Sequence, residues 1–218
     1  MYTFLLACIP VFLLLICCLN KNFSWKSFIP PIAFGFLVAF GFYICRKFMI
    51  FTKYTWTTDP VAAIFDLFIY DTLIPVAICT AVFCIFDRST MAYKAEALAP
   101  LFMTFYAIMV PFYVLTGDDS ITPFMIYGKP LLYVGMPVLV SVFASYGIDF
   151  IKKKLIPVGV VFFVLALAVL LVPGIVEGMW YYKGGIFHVV VAAVFAGISV
   201  AAYIVKNFVT GNSTRQNI

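Results

Sequence analysis

The sequence predicts an all-α, polytopic integral membrane protein with seven transmembrane helices. Hydrophobic residues make up 65% of the 218 and charged residues only 11%. Mean hydropathy is +1.12, and apolar runs of helical length follow one another with short polar breaks. A soluble domain is about half apolar and about a quarter charged. This chain therefore carries more apolar surface than its own core can take in, and the excess must face lipid.

A helix needs about 20 apolar residues to cross a bilayer. Seven segments qualify: 2–19, 27–45, 61–86, 97–116, 131–151, 156–175 and 186–205. Transmembrane β-strands would be shorter and would alternate in polarity, which these runs do not. The first run has no basic residue before it and no small-residue cleavage site after it, so it reads as a retained span rather than a signal peptide. The second opens with Phe28-Ile29-Pro30, and the third carries Asp66, Asp71 and Pro75. The fifth holds Ser141, Ser145 and Tyr146, and the seventh holds His188, the one histidine. Residues 206–218 read as a short polar tail. The six cysteines lie in or at the ends of apolar runs without any C-x-x-C, and pack as small hydrophobes.

Basic residues orient the spans. With the N-terminus outside and the C-terminus cytoplasmic, the inner segments hold Lys21, Lys26, Arg88, Lys94, Lys152, Lys153, Lys154, Lys206 and Arg215. The outer loops hold Arg46, Lys47, Lys53, Lys129 and Lys183. Nine against five favours this orientation in the cytoplasmic membrane, although Arg46-Lys47 stands on the wrong side. The net charge of +5 sits in short loops, where it serves topology and contact with anionic membrane lipids. It forms no basic face for nucleic acid.

The three outer loops, 46–60, 117–130 and 176–185, each mix aromatic and acidic residues. Trp56, Asp118, Asp119, Glu177 and Trp180 read either as an interfacial aromatic belt or as a lid over a cavity open to the outside. A weak internal repeat accompanies them. Ile9-Pro10-Val11 and Phe28-Ile29-Pro30 reappear, at one common offset, as Met136-Pro137-Val138 and Leu155-Ile156-Pro157. That layout, two parallel three-helix units joined by a fourth span, is similar to that of SWEET-type sugar transporters. The likeness is one of layout and size, and no motif residue carries over.

Two carboxylates inside the third span ask for an explanation. A charge at the bilayer centre costs about 2.5–3.5 kcal/mol on insertion scales, so such residues face protein or water and commonly mark a path. At 1.5 Å per residue Asp71 lies about 15 Å into its span, with Asp66 about 140° away around the helix. Pro75 has no N–H and its ring clashes with the carbonyl four residues back, that of Asp71. A kink there leaves a free carbonyl beside a carboxylate, a combination that suits a cation or an amine. The structural alternative is that Asp71 bonds Tyr70, Thr72 or a neighbouring helix and fixes packing. His188 would meet Asp66 across the repeat axis and supply a titrating pair for proton coupling.

The expected function is a permease for a small solute, with a cationic substrate and proton coupling as the working expectation. Asp66, Asp71, Tyr70 and His188 would line its path. An intramembrane enzyme acting on a lipid-like substrate, with Asp66 and Asp71 as acid and base, is one rival. A non-catalytic subunit binding partner proteins is another. One histidine leaves no ligand set for zinc, no G-x-S-x-G, H-E-x-x-H or P-loop occurs, and no cofactor is expected.

Overall fold

The computed structural model describes residues 2–19, 24–48, 59–116 and 122–213. These form seven helices and, among the described residues, no strand. They are α1 (Tyr2–Leu19), α2 (Trp25–Lys47), α3 (Pro60–Phe86), α4 (Met91–Thr116), α5 (Phe124–Lys152), α6 (Ile156–Lys183) and α7 (Ile186–Ser213). The six from α2 to α7 are long and apolar enough to cross a membrane. α1, 18 residues without a charged one, is the shortest. The chain is a polytopic helical membrane protein.

Local chemistry sets the ends. Asp59 caps α3 by accepting a hydrogen bond from the Val61 N–H at 3.0 Å. Pro60 occupies the first turn, where a missing N–H costs nothing. α5 stops because Lys154 turns to φ 62°. The Leu155 N–H then reaches the Phe150 carbonyl at 2.9 Å and the Lys154 N–H the Ile151 carbonyl at 2.9 Å, satisfying carbonyls that the helix end would orphan. Pro157 starts α6 directly afterwards.

α4 and α5 are buried along most of their length, while α2, α3, α6 and α7 bury about a third of theirs. The remaining helices surround this central pair: α1 packs on both, α2 on α4, α3 on α2 and α6, and α6 and α7 on α5. Their outer faces are apolar, with Phe36, Leu37 and Phe40 on α2, Val160, Val164 and Leu167 on α6, and Val190, Val194 and Ile198 on α7 all exposed. Lipid covers such faces at no cost, so helix association depends on close packing instead. Glycine supplies it. A Cβ on Gly35 would strike the Leu101 carbonyl oxygen of α4, and one on Gly174 of α6 would lie 3.1 Å from both the Ile64 oxygen and the Phe68 nitrogen of α3.

Four boundaries differ by more than two residues from the sequence reading, the first being that α4 begins at Met91 rather than at 97. α5 begins at Phe124 rather than at 131, α6 continues to Lys183 rather than ending at 175, and α7 runs through Ser213 rather than stopping at 205. Residues expected in loops or in the tail (Lys129, Glu177, Trp180 and Lys206) are therefore helical. Hydropathy falls wherever a charge appears, but a helix keeps its charge inside the bundle when a neighbouring helix supplies the counter-charge. The two three-helix units of the repeat are also packed differently. α5 packs on both α6 and α7, whereas α1 packs on α4 and α5.

Candidate functional site

Two prolines shape the site. In α3, residues Phe68–Leu73 form a π-turn just ahead of Pro75. In α5, residues Phe124–Gly128 form another just ahead of Pro130. Each proline lacks an N–H and crowds the carbonyl four residues earlier, and the wider turn moves that carbonyl aside. The loosened Asp71 carbonyl accepts a hydrogen bond from the Tyr106 hydroxyl at 3.0 Å. The expected free carbonyl therefore exists in the sequence logic, and α4 satisfies it. Each π-turn also delivers a charge: Asp71 lies within the first, and Lys129 follows the second directly. Such bulges recur at functional sites.

These charges meet two more. Arg46, near the end of α2, places Nη2 3.0 Å from Asp71 Oδ1. Lys129 Nζ lies 3.7 Å from Asp71 Oδ2 and 2.5 Å from Glu177 Oε1 of α6. The result is a chain of alternating sign, Arg46–Asp71–Lys129–Glu177, drawn from four helices. No member side chain is more than 7% exposed. Two cations and two anions leave it neutral. Tyr113 of α4 backs both cations, with the Arg46 guanidinium 4.3 Å and the Lys129 ammonium 5.2 Å from its ring centre. The Tyr133 ring lies 5.9 Å from the same ammonium. Aromatic faces stabilise cations that water does not reach.

The four are not held equally. Lys129 has two carboxylates and two rings. Asp71 has two cations. Glu177 has Lys129 alone as an ion-pair partner; among the described residues its Oε2, like Asp71 Oδ1, is buried without a hydrogen-bond partner. An unmet acceptor at this depth is costly. Glu177 is the network's weakest anchor.

The other expected site residues take separate places. Asp66 and Tyr70 are half-buried on α3 and stand outside the network. His188 is buried, edge-on to the rings of Phe124 and Phe187 at 6.3 and 5.9 Å. No ion pair joins it to Asp66 among the described residues. Trp180 stacks on Phe124 at 5.0 Å and so packs α6 against the π-turn of α5. Glu177, expected in an outer lid, is a buried helix residue. Trp56, Asp118 and Asp119 lie outside the described residues. No group of three or more His, Cys, Asp and Glu among the described residues is placed to hold a metal ion.

Arg46 and Lys129, together with Tyr106, Tyr113 and Tyr133, escaped the sequence reading as site residues. One signal for Arg46 was present: the orientation expected from the basic residues put it on the disfavoured side.

At the opposite end of the bundle Lys206 of α7 is buried, with Nζ 3.4 Å from Glu96 Oε1 of α4. Ser141 donates to the Ala95 carbonyl at 2.9 Å and Ser145 to the Ser141 carbonyl at 2.8 Å. Ser141 thereby ties α5 to α4, while the Ser145 bond lies within α5. Compared with family models, with curated proteins and with solved structures, the chain matches none of them.

Proposed function

We propose that this chain is a multi-pass permease of the cytoplasmic membrane, moving a small solute through the Arg46–Asp71–Lys129–Glu177 network. The observation that carries the reading is the convergence of four buried charges from four helices. Burying charge is expensive, and well-packed apolar residues of similar volume are often as stabilising as a buried ion pair or more so. A network retained inside the membrane is thus a functional site by default. Its dependence on several helices means that a small relative movement of α3 or α6 would open it.

The expectation of a cationic solute came from a free carbonyl beside the Asp71 carboxylate, and Tyr106 donates to that carbonyl. Two cations already hold that carboxylate, so the weight moves to solutes that engage Lys129 or Arg46. The orientation gains support from the same residues. Buried Arg46 and Lys129 no longer count among the five outer basic residues, nor Lys206 among the nine inner ones. Eight inner against three outer remain, and the wrong-sided arginine is accounted for. In that orientation the network would run from the outer ends of α2, α5 and α6 inward to Asp71, about 16 Å along α3 from Pro60 and so near mid-span.

The test is uptake by proteoliposomes of a panel of labelled monocarboxylates, amino acids and alkylammonium ions. At least one should be transported. The double variant Lys129→Met/Glu177→Met, verified as folded, should lose at least about tenfold of that transport, the worth of one charge-assisted contact. Undiminished transport by the folded double variant would remove the network from the path.

A further inference from the structure

The neutrality of the network limits what can bind there. A lone charge entering a buried site that is already balanced leaves one charge uncompensated, at a cost that normally drives a group to neutralise instead. A charged solute must therefore arrive with a compensating charge or displace one. Which member yields follows from the partners. Arg46 stays protonated under all ordinary conditions and is held by Asp71 and the Tyr113 ring. Asp71 touches both cations. Lys129, without Glu177, would still have Asp71 and the rings of Tyr113 and Tyr133. Glu177, without Lys129, would have no ion-pair partner among the described residues. Among the described residues its Oε2 lacks a hydrogen-bond partner, as Asp71 Oδ1 does, but Glu177 has one ion pair where Asp71 has two.

We infer that the transported solute is a small monocarboxylate, which takes the place of Glu177 on Lys129 while Glu177 accepts one proton. This rests on the permease reading and specifies its substrate class and its coupling. The exchange balances. The incoming carboxylate replaces one carboxylate at the Lys129 ammonium, the proton comes from the aqueous side to a Glu177 oxygen, and the network stays neutral before and after. Protonation also turns Glu177 from acceptor to donor, so it can bond the solute that displaced it. The charged and titratable groups facing this position are Lys129 and Tyr133 from α5, Asp71 from α3, Arg46 from α2 and Tyr113 from α4. Of the network's two carboxylates, Asp71 has two ion-pair partners and Glu177 one.

The probe is labelled pyruvate, which is ionised at neutral pH, with methylammonium as the cationic comparison, both on the full-length protein in liposomes. Pyruvate uptake should alkalinise the outer medium by about one proton per anion. Its apparent affinity should weaken about tenfold per pH unit on the alkaline side, as linkage to one proton requires. Glu177→Gln, which imitates the protonated form, should bind pyruvate with no proton uptake and no such pH dependence. In the native protein, pyruvate should also add a protonated-carboxyl band to the infrared difference spectrum, a readout independent of any variant's folding. Pyruvate uptake without protons, or methylammonium uptake that needs the network while pyruvate is ignored, overturns the inference and leaves the permease standing. Transport of neither probe, nor of any solute in the wider panel, overturns both.

Discussion

Asp71→Asn is the substitution whose consequence the structure defines most fully. The amide keeps the shape of the side chain and one acceptor, so packing in the π-turn is retained. What changes is charge: the neutral network becomes net positive, with buried Arg46 deprived of the anion at 3.0 Å. Breaking a buried pair by removing one partner costs about 3–5 kcal/mol. The lower end applies, because Lys129 keeps Glu177 at 2.5 Å and Arg46 keeps the Tyr113 ring. About 3 kcal/mol in a chain of this size lowers the melting temperature by about 6–12 °C. Arg46→Gln should cost a similar amount. The double variant restores neutrality with Lys129 and Glu177 still paired, so it should lose about as much as either single variant, a coupling of about 3 kcal/mol. Thermal unfolding of the four proteins in one detergent measures this. A shift under about 1 °C for Asp71→Asn, or losses that simply add, would refute the reasoning from a shared buried network.

Other substitutions test separate parts of the account. Tyr106→Phe should cost about 1–3 kcal/mol by leaving the Asp71 carbonyl buried without a donor, and an unchanged melting temperature would contradict the role given to Pro75. Gly35→Ala should destabilise by about 1–3 kcal/mol because its methyl meets the Leu101 carbonyl. Gly41→Ala, with no atom within 4 Å of its added carbon, should be neutral, and equal effects would refute the close approach of α2 to α4. In a background without the six native cysteines, an impermeant thiol reagent applied outside should label Gly184→Cys and not Lys153→Cys, and the reverse pattern would invert the orientation.

The helices were legible because lipid imposes one demand along the whole span: apolar side chains at a length set by the bilayer. Their ends were less legible, since Lys129, Glu177 and Lys206 mimic loop residues until their partners on other helices are known. The same blindness hid the site. Asp71 stood out as a charge among apolar neighbours, and its link to Pro75 could be reasoned from proline chemistry. Arg46 and Lys129 resembled ordinary topology signals, because nothing local separates a basic residue that enters the bundle from one that stays outside. Long-range pairing, here across four helices, has no signature in a single sequence. The proline four residues after Asp71 and the one four after Ile126 were the nearest approach to one, as both mark turns that widen.

Access to the network from water tests the central claim most directly. Tyr113 has a buried hydroxyl and a ring whose centre lies 4.3 and 5.2 Å from the two cations, so Tyr113→Cys places a thiol near them with all four charges retained. The rate of its reaction with a charged, impermeant thiol reagent can be measured from each side of the membrane, against Lys183→Cys as an exposed control. A permease whose path crosses the network predicts modification from the outer side, slowed by pyruvate. No modification from either side, over a time in which the control reacts completely, would mean that the network is sealed and serves packing alone.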